Sequence, residues 1–325
     1  MELTIAINRY DRHVPFFTGA LSPPKGVTLK PLEVGESTPY RDGTDRHARM
    51  LDDLEFDIAE MSMSTFIMAV ARDPDLPIVG IPAFPRRFFS AGQIYVNADS
   101  DIAKPQDLIG RKVGLHSFQT TLSLLGKGDL KLDYDVAWEK IHWVCMRKEL
   151  VPVDLGDDVK VELMPEGKDM GMMLCEGEIE ALISPQPRQS MLERPGRYRR
   201  LFPDVHAEEV RYFNKHGYYP IMHLVVCKRE LAEKYPDLPS DLVRVFDDAK
   251  NIAYSFYGDS NYSLLADGRT LYEQQCADFG NDPWPNGFRA NRKNLERFIE
   301  YSHDQRLIPD LFPPERLFHA SAHMT

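Results

Sequence analysis

Runs of residues typical of β-strands alternate with runs typical of helices, and this alternation restricts the fold more than any other feature. In the first part of the chain, strands are predicted over 3–7, 27–34, 57–61 and 78–83, and helices over 44–54 and 66–71. Strands that alternate with helices favour an α/β unit with a largely parallel sheet.

The same pattern recurs further along the chain and then becomes helical. Strands are predicted over 112–116, 160–164, 180–184 and 221–228, and helices over 170–176, 242–257, 264–279 and 291–305. We therefore expect two lobes of mixed sheets flanked by helices, with a ligand cleft between them. The first lobe would comprise 1–95 and 225–325, including the C-terminal helices, and the second would comprise 96–224.

Composition excludes several other classes of protein. The chain has 325 residues, 43% of them hydrophobic, and a formal net charge of -11, which argues against a nucleic-acid-binding surface. No basic segment followed by an apolar one marks the start for export, and no run reaches membrane-spanning length, so a cytoplasmic location is expected. The four scattered cysteines contain no CxxC pair, and we interpret them as structural.

Hydroxyl side chains follow strands in both lobes, where the next helix begins. They are Ser62 and Ser64 in the first lobe, and Ser117 and Thr121 in the second. In open α/β sheets, ligands lie beyond the carboxyl ends of the strands, where helix N-termini offer free N–H groups. This placement suits an anionic ligand, although ordinary helix caps would explain the same residues.

Arginines supply a second indication of an anion site. Arg86 and Arg87 lie between aromatic residues directly after the strand 78–83, and Arg188 follows a strand of the second lobe. Guanidinium groups match carboxylates bidentately, so arginines from the two lobes could hold two carboxylates. Arg9, after the first strand, is a weaker candidate, and a solvated turn is the alternative for the arginine pair.

Two histidines and one glutamate are candidates for proton transfer. His116 ends a strand immediately before the Ser117 cap, and His223 lies at the start of the strand that returns to the first lobe. Glu60 belongs to a strand expected to be buried on both faces, so it requires a partner. Pairing with Arg86 or Arg87 is its structural interpretation, and a role as base or substrate orienter is the functional one.

Common cofactor motifs are missing from the sequence. It contains no HExxH, no glycine-rich phosphate loop and no Gly-x-Ser-x-Gly elbow, so neither a metal nor another cofactor is expected. The charged stretch Lys127 to Asp135 is interpreted as a solvated loop.

Several longer strings together resemble the 4,5-dihydroxyphthalate decarboxylase family. They are FDIAEMSMSTF, IPAFPRRFF followed by IYVNADS, DLIGRKVGL, MPEGKDM, GEIEALISP, RRLFPD, PIMHLVV and ANRKNLERFIEYSHDQRL. The likeness extends from the first strand to about Phe318 and departs around Lys127 to Asp154 and at the turn Ser22-Pro23-Pro24. This resemblance implies the type II periplasmic-binding-protein-like fold and an enzyme of aromatic catabolism.

The implied reaction is decarboxylation of a hydroxylated aromatic acid, most simply 4,5-dihydroxyphthalate or a close analogue, without a cofactor. It needs an acid near the ring carbon that bears the carboxylate, a partner for the phenol, and cations for the second carboxylate. We predict His223 as the general acid and His116 as phenol partner or alternate acid. Arg86, Arg87 and Arg188 would hold carboxylates, aided by the hydroxyl side chains.

Two other functions are compatible with the same residues. The chain could be a non-catalytic cytosolic sensor that closes on an aromatic or dicarboxylic acid, or another lyase or isomerase built on the same scaffold. In each case the partner is a small carboxylate, and formation of a homo-oligomer is left open by the sequence.

Overall fold

The computed structural model describes residues 1–36 and 41–325, in which the strands form two sheets. The first sheet contains β1 (Glu2–Ala6), β2 (Thr28–Leu32), β3 (Ile58–Ser62), β4 (Ile78–Arg87) and β11 (Ile221–Lys228), in the order β2-β1-β3-β11-β4. The second contains β5 (Ile94–Asn97), β6 (Lys112–Leu115), β7 (His142–Cys145), β8 (Val161–Leu163), β9 (Ala181–Ile183) and β10 (Tyr198–Arg200), in the order β10-β5-β9-β6-β7-β8.

Helices connect and cover the strands. They are α1 (Val14–Thr18), α2 (Arg46–Asp52), α3 (Met63–Arg72), α4 (Thr121–Tyr134), α5 (Met170–Glu176), α6 (Gln189–Leu192), α7 (Val205–His216), α8 (Arg229–Lys234), α9 (Leu238–Tyr257), α10 (Gly268–Phe279) and α11 (Phe288–Asp304). Short 3-10 helices cover Asp11–His13, Ala91–Gln93, Pro105–Leu108, Trp138–Lys140, Pro314–Leu317 and Ala320–Ala322. None of the helices in the described ranges is both long enough and apolar enough to cross a membrane.

Both sheets are mixed. β1 runs parallel to β2 and β3, whereas β11 is antiparallel to β3 and β4. In the second sheet, β6 is parallel to β7 and β9, and β5 is antiparallel to β9 and β10. The prediction of an α/β fold with mixed sheets flanked by helices is therefore confirmed.

Two neighbouring chain segments connect the sheets. Residues 88–93 lead from β4 to β5, and residues 217–220 lead from α7 to β11. The Phe88 N–H donates to the Pro220 carbonyl at 3.1 Å, and the Phe89 ring stacks on Tyr219 with centroids 4.4 Å apart. The predicted boundaries at 95/96 and 224/225 fall inside β5 and β11, and the division into lobes stays a prediction.

A single hydrophobic cluster joins the two sheets. It contains Ala59 and Leu224 from the first sheet, Val113 and Trp143 from the second, and Phe298 from α11, all fully buried. A separate cluster lies on the other face of the first sheet and contains residues of β1, β4, β11 and α9. Burial of apolar surface contributes roughly 25 cal/mol per Å², so this shared cluster stabilises the contact between the two sheets.

The interpretation of Lys127 to Asp135 as a solvated loop was wrong. The segment lies largely in α4, and Lys127 and Asp129 are 0% and 3% exposed. Asp129 accepts hydrogen bonds from Ser90 at 2.6 Å, Tyr301 at 2.9 Å and Tyr212 at 3.2 Å. These charged side chains are not exposed, because polar groups of neighbouring elements form hydrogen bonds with them inside the protein.

Candidate active site

A cleft with a volume of about 1030 Å³ is lined by residues of both sheets. Ser62, Arg86 and His223 come from the first sheet, and His116 and Ser184 lie at the ends of strands in the second. Sites of this kind, in a crevice beyond the strand ends, are the usual ligand sites of open α/β sheets. We therefore take this cleft as the candidate active site.

Pairing between the strands places His223 at the centre of the cleft wall. On β11 it lies opposite Ser62 of β3 on one side and Arg86 of β4 on the other. The register between β11 and β4 shifts on both sides of His223. Pro82 and Pro85 in β4 have no N–H to donate to the ladder, which accounts for the irregular pairing.

His223 and Glu60 form a buried hydrogen-bonded pair. The His223 Nδ1 lies 2.5 Å from Glu60 Oε1, and Glu60 is completely buried. Arg46 makes a 3.2 Å salt bridge to Glu60 Oε2, and the Tyr10 hydroxyl donates to Oε1 at 3.1 Å. Burial raises the pKa of Glu60, but Arg46 and the hydrogen bond from His223 outweigh it and hold the pKa well below its usual range.

This arrangement leaves the other nitrogen of His223 for the cleft. The sequence predicted Arg86 or Arg87 as partner of Glu60, and the structure instead gives that position to Arg46. Among the described residues, no group hydrogen-bonds to Nε2 of His223. Burial lowers the pKa of His223, and the nearby charges of Arg86 and Arg46 lower it further, while Glu60 opposes them. Glu60 thus fixes the ring and supports its positive charge.

His116 lines the same cleft from the second sheet, and no carboxylate in the described ranges hydrogen-bonds to its ring as Glu60 does to that of His223. Burial and the positive charge of Arg147 lower its pKa to about 4. At neutral pH its imidazole is uncharged, so it can accept a hydrogen bond and is a poor source of a proton.

The predicted hydroxyl residues are divided between the cleft and the protein interior. Ser62, Ser117 and Thr121 line the cleft, and the Ser62 and Thr121 hydroxyls lie 3.0 Å apart. Thr121 also accepts a hydrogen bond from the Ser64 N–H at 3.2 Å, so the N-termini of α3 and α4 meet there. Ser64 is completely buried and does not line the cleft, because its position on α3 faces the core.

Of the four predicted arginines, two line the cleft and two lie outside it. Arg86 and Arg188 line the cleft, and Arg188 lies 3.5 Å from the carboxylate of Asp169. Arg87 does not reach the cleft, because its buried guanidinium donates to the carbonyls of Tyr219 and Pro285 and to the Asn291 side chain. Arg9 also lies outside, where it pairs with Glu33 at 3.1 Å.

Three residues of the site were not predicted from the sequence. Arg46 and Tyr10 contact Glu60 directly, and the ring of His47 lies 5.3 Å from that of His223. His47 lines the cleft, and its buried Nδ1 has no hydrogen-bond partner among the described residues. The sequence indicated only that a buried Glu60 requires a partner, and it does not show which residues come close to it.

No cluster of three or more residues able to hold a metal ion occurs in the described ranges. Imidazoles, guanidiniums and hydroxyls converge on the cleft, together with the separate carboxylates of Glu36, Asp45, Glu149 and Asp169. Such a site can bind carboxylates and transfer protons.

Comparison with known proteins agrees with this chemistry. A 4,5-dihydroxyphthalate decarboxylase from Comamonas testosteroni is 27% identical over 336 residues, which cover 99% of this chain and 97% of that protein. A protein of the same name from Pseudomonas putida is 29% identical over 192 residues, which cover 57% of this chain and 71% of that protein. No protein-family model matches the chain.

Solved structures are similar in fold. The periplasmic aliphatic sulphonate binding protein SsuA from Escherichia coli has a TM-score of 0.56 at 14% identity, covering 98% of this chain and 91% of that chain. SsuA from Xanthomonas axonopodis pv. citri has a TM-score of 0.53 at 13% identity, covering 99% and 97%. The resemblance found in the sequence is thus confirmed: the relatives are carboxy-lyases by name, and the fold is that of periplasmic binding proteins.

Proposed function

We propose that this homologue of the 4,5-dihydroxyphthalate decarboxylases itself removes CO₂ from a hydroxylated aromatic carboxylic acid, 4,5-dihydroxyphthalate or a close analogue, without a cofactor. The observation that carries the proposal is the buried pair of Glu60 and His223 at 2.5 Å, with the free nitrogen of His223 beside a cleft lined by arginines. A sulfonate-binding receptor fold alone would not require such a pair.

In the proposed reaction, His223 is the general acid. Its imidazolium gives a proton to the ring carbon that carries the carboxylate, and the bond from that carbon to the carboxylate then breaks. The electron pair of that bond restores the aromatic ring, CO₂ leaves, and His223 regains a proton from water. A bound carboxylate beside His223 would raise its pKa and so favour the charged form before the transfer.

His116 would be the partner of the phenol. Because its pKa is lowered to about 4, the uncharged ring can accept a hydrogen bond from the hydroxyl that supplies electrons to the ring. Arg86 and Arg188 would hold the carboxylates, with Ser62, Ser117 and Thr121 as further donors. Glu60 would act as a positioning residue through His223 and would not touch the substrate.

The first test replaces the proposed acid. We expect His223→Ala to lower kcat for CO₂ release from 4,5-dihydroxyphthalate by about 10² to 10⁴, since positioned acids contribute that much. Release of ¹⁴CO₂ from carboxyl-labelled substrate would measure it, with Arg9→Met, outside the cleft, as the matched control. Unchanged turnover in His223→Ala would refute the assignment.

The alternative function is a non-catalytic binding protein, and the cleft of arginines and hydroxyls would serve it equally well. Thermal stabilisation by hydroxylated phthalates, with no CO₂ from any of them, would favour that alternative.

A further inference from the structure

The carboxylate of Glu149 accepts hydrogen bonds from two backbone N–H groups beside the cleft. It lies in the connection between β7 and β8, and both it and Gln119 line the cleft. Its Oε1 accepts from the Phe118 N–H at 2.6 Å, and its Oε2 accepts from the Gln119 N–H at 2.9 Å. Two parallel N–H groups that bind both oxygens of one carboxylate form a bidentate, charge-assisted contact.

A buried lysine strengthens one of these two donors, the Gln119 N–H. Lys127 is 0% exposed, and its Nζ donates to the Phe118 carbonyl at 2.7 Å. That carbonyl and the Gln119 N–H belong to the same peptide group. A hydrogen bond to the carbonyl polarises the group and makes its N–H a better donor to an anion. Burial holds the pKa of Lys127 well below its usual range, and the nearby Cys145 and Glu149 only partly oppose this effect.

The side chain of Gln119 is a further, independent indication of a ligand. It is 2% exposed, and its Nε2 is buried without a hydrogen-bond partner in the described part of the chain. Its Oε1 accepts from the Val151 N–H at 3.4 Å. A buried amide donor without an acceptor is costly, and an additional carboxylate oxygen near it would remove that cost.

We infer that the Phe118 and Gln119 amides form a carboxylate subsite, which Glu149 occupies in place of one carboxylate of an aromatic dicarboxylate. The inference rests on the proposed function and deepens it, because it makes the substrate a dicarboxylate. Arg86 or Arg188 holds one carboxylate, and the other displaces Glu149 from the amides.

The inference predicts that removing Glu149 tightens binding of dicarboxylates. The probes are phthalate and benzoate, which lack the ring hydroxyls that decarboxylation needs, and the measurement is isothermal titration calorimetry on the full chain. For Glu149→Ala and Glu149→Gln we expect the Kd of phthalate to fall by about tenfold or more, because no internal anion competes. The gain for benzoate should be smaller, because its single carboxylate can use the arginines alone.

Asp154→Asn is the matched control, since it removes one negative charge from the same connection without touching the amides. It should leave both Kd values within about twofold of the original, because exposed charges contribute little. Circular dichroism would show that each variant is folded. A phthalate Kd that stays the same or rises in both Glu149 variants would overturn the inference, and an equal gain for benzoate would overturn the dicarboxylate assignment.

These outcomes are separate from those for the reaction. If phthalate binds more tightly to the Glu149 variants but no hydroxylated phthalate releases CO₂, the subsite stands and the proposed reaction fails. If CO₂ is released but the Glu149 variants show no gain, the reaction stands and the subsite fails.

Discussion

At the scale of single residues, the environment of each imidazole separates two histidines that the sequence could not rank. His223 is held by a carboxylate, whereas His116 faces the charge of Arg147. This difference is the basis of the proposal that His223 donates a proton and His116 accepts a hydrogen bond. The pair of His223 with Glu60 could not be predicted from the sequence, because 163 positions separate them and no local pattern connects them.

The role of Glu60 leads to a prediction about pH. The pKa of His223 is lowered, so activity that needs its imidazolium falls as pH rises through a value below 6.5. Glu60→Gln removes the anion that opposes this lowering, so the fall in kcat/KM should move to still lower pH. The measurement is kcat/KM for 4,5-dihydroxyphthalate against pH.

Tyr10→Phe is the control for this experiment, because it removes a hydrogen bond to Glu60 but keeps the carboxylate charge. We expect its pH profile to stay close to that of the original protein. A profile of Glu60→Gln that moves towards higher pH would contradict the positioning role of Glu60.

At the scale of elements, β4 explains why adjacent arginines have different roles. The sequence predicted a strand ending at Ala83, but the strand continues to Arg87. Successive side chains of a strand point to opposite faces, so Arg86 faces the cleft while Arg87 is buried against the segment before α11. The sequence showed the pair and its neighbouring strand, but the end of the strand decided which arginine points inwards.

The two arginines should therefore respond differently to the same substitution. Arg87→Met removes three hydrogen bonds made by a buried guanidinium, and we expect it to lower the free energy of unfolding by about 3 kcal/mol. Arg86→Met should instead raise the KM for 4,5-dihydroxyphthalate by about tenfold with little loss of stability. Urea denaturation and steady-state kinetics would distinguish them, and equal losses of stability would contradict the separation of roles.

At the scale of the whole molecule, Asp129 of α4 holds together the segment that leads from β4 to β5 and the helices α7 and α11. The helices α7 and α11 and the segment at Ser90 all donate to its carboxylate. The alternation of strands and helices was sufficient to predict two sheets and a cleft. It could not predict this anchor, because a charged stretch in α4 looks the same in sequence whether it faces water or the interior.

Asp129 should make stability fall as pH rises. Burial raises its pKa to about 6 from 3.8, so its contribution is complete at low pH and is lost as pH rises through about 6. The free energy of unfolding of Asp129→Asn, relative to that of the original protein, should therefore rise by about 3 kcal/mol between about pH 4 and about pH 8. Urea denaturation at both pH values would measure the difference.

Asp133, one turn further along α4, provides a control of opposite sign. His216, Arg211 and Lys215 hold its pKa below the usual range despite burial, so its contribution is present at neutral pH and is lost as pH falls below about 4. Asp133→Asn should therefore be most destabilising near neutral pH. If the relative stabilities of Asp129→Asn and Asp133→Asn changed in the same direction with pH, this account of α4 would be contradicted.

The position of β11 in the first sheet has a consequence for synthesis on the ribosome. β11 lies between β3 and β4, yet it begins only at Ile221, so most of the chain emerges while the facing edges of those strands still lack their partner. Unpaired strand edges favour aggregation. His223 arrives on the same strand, so the step that covers these edges is also the step that brings His223 to Glu60. By the proposed mechanism, a nascent chain would gain activity only when its first sheet is complete.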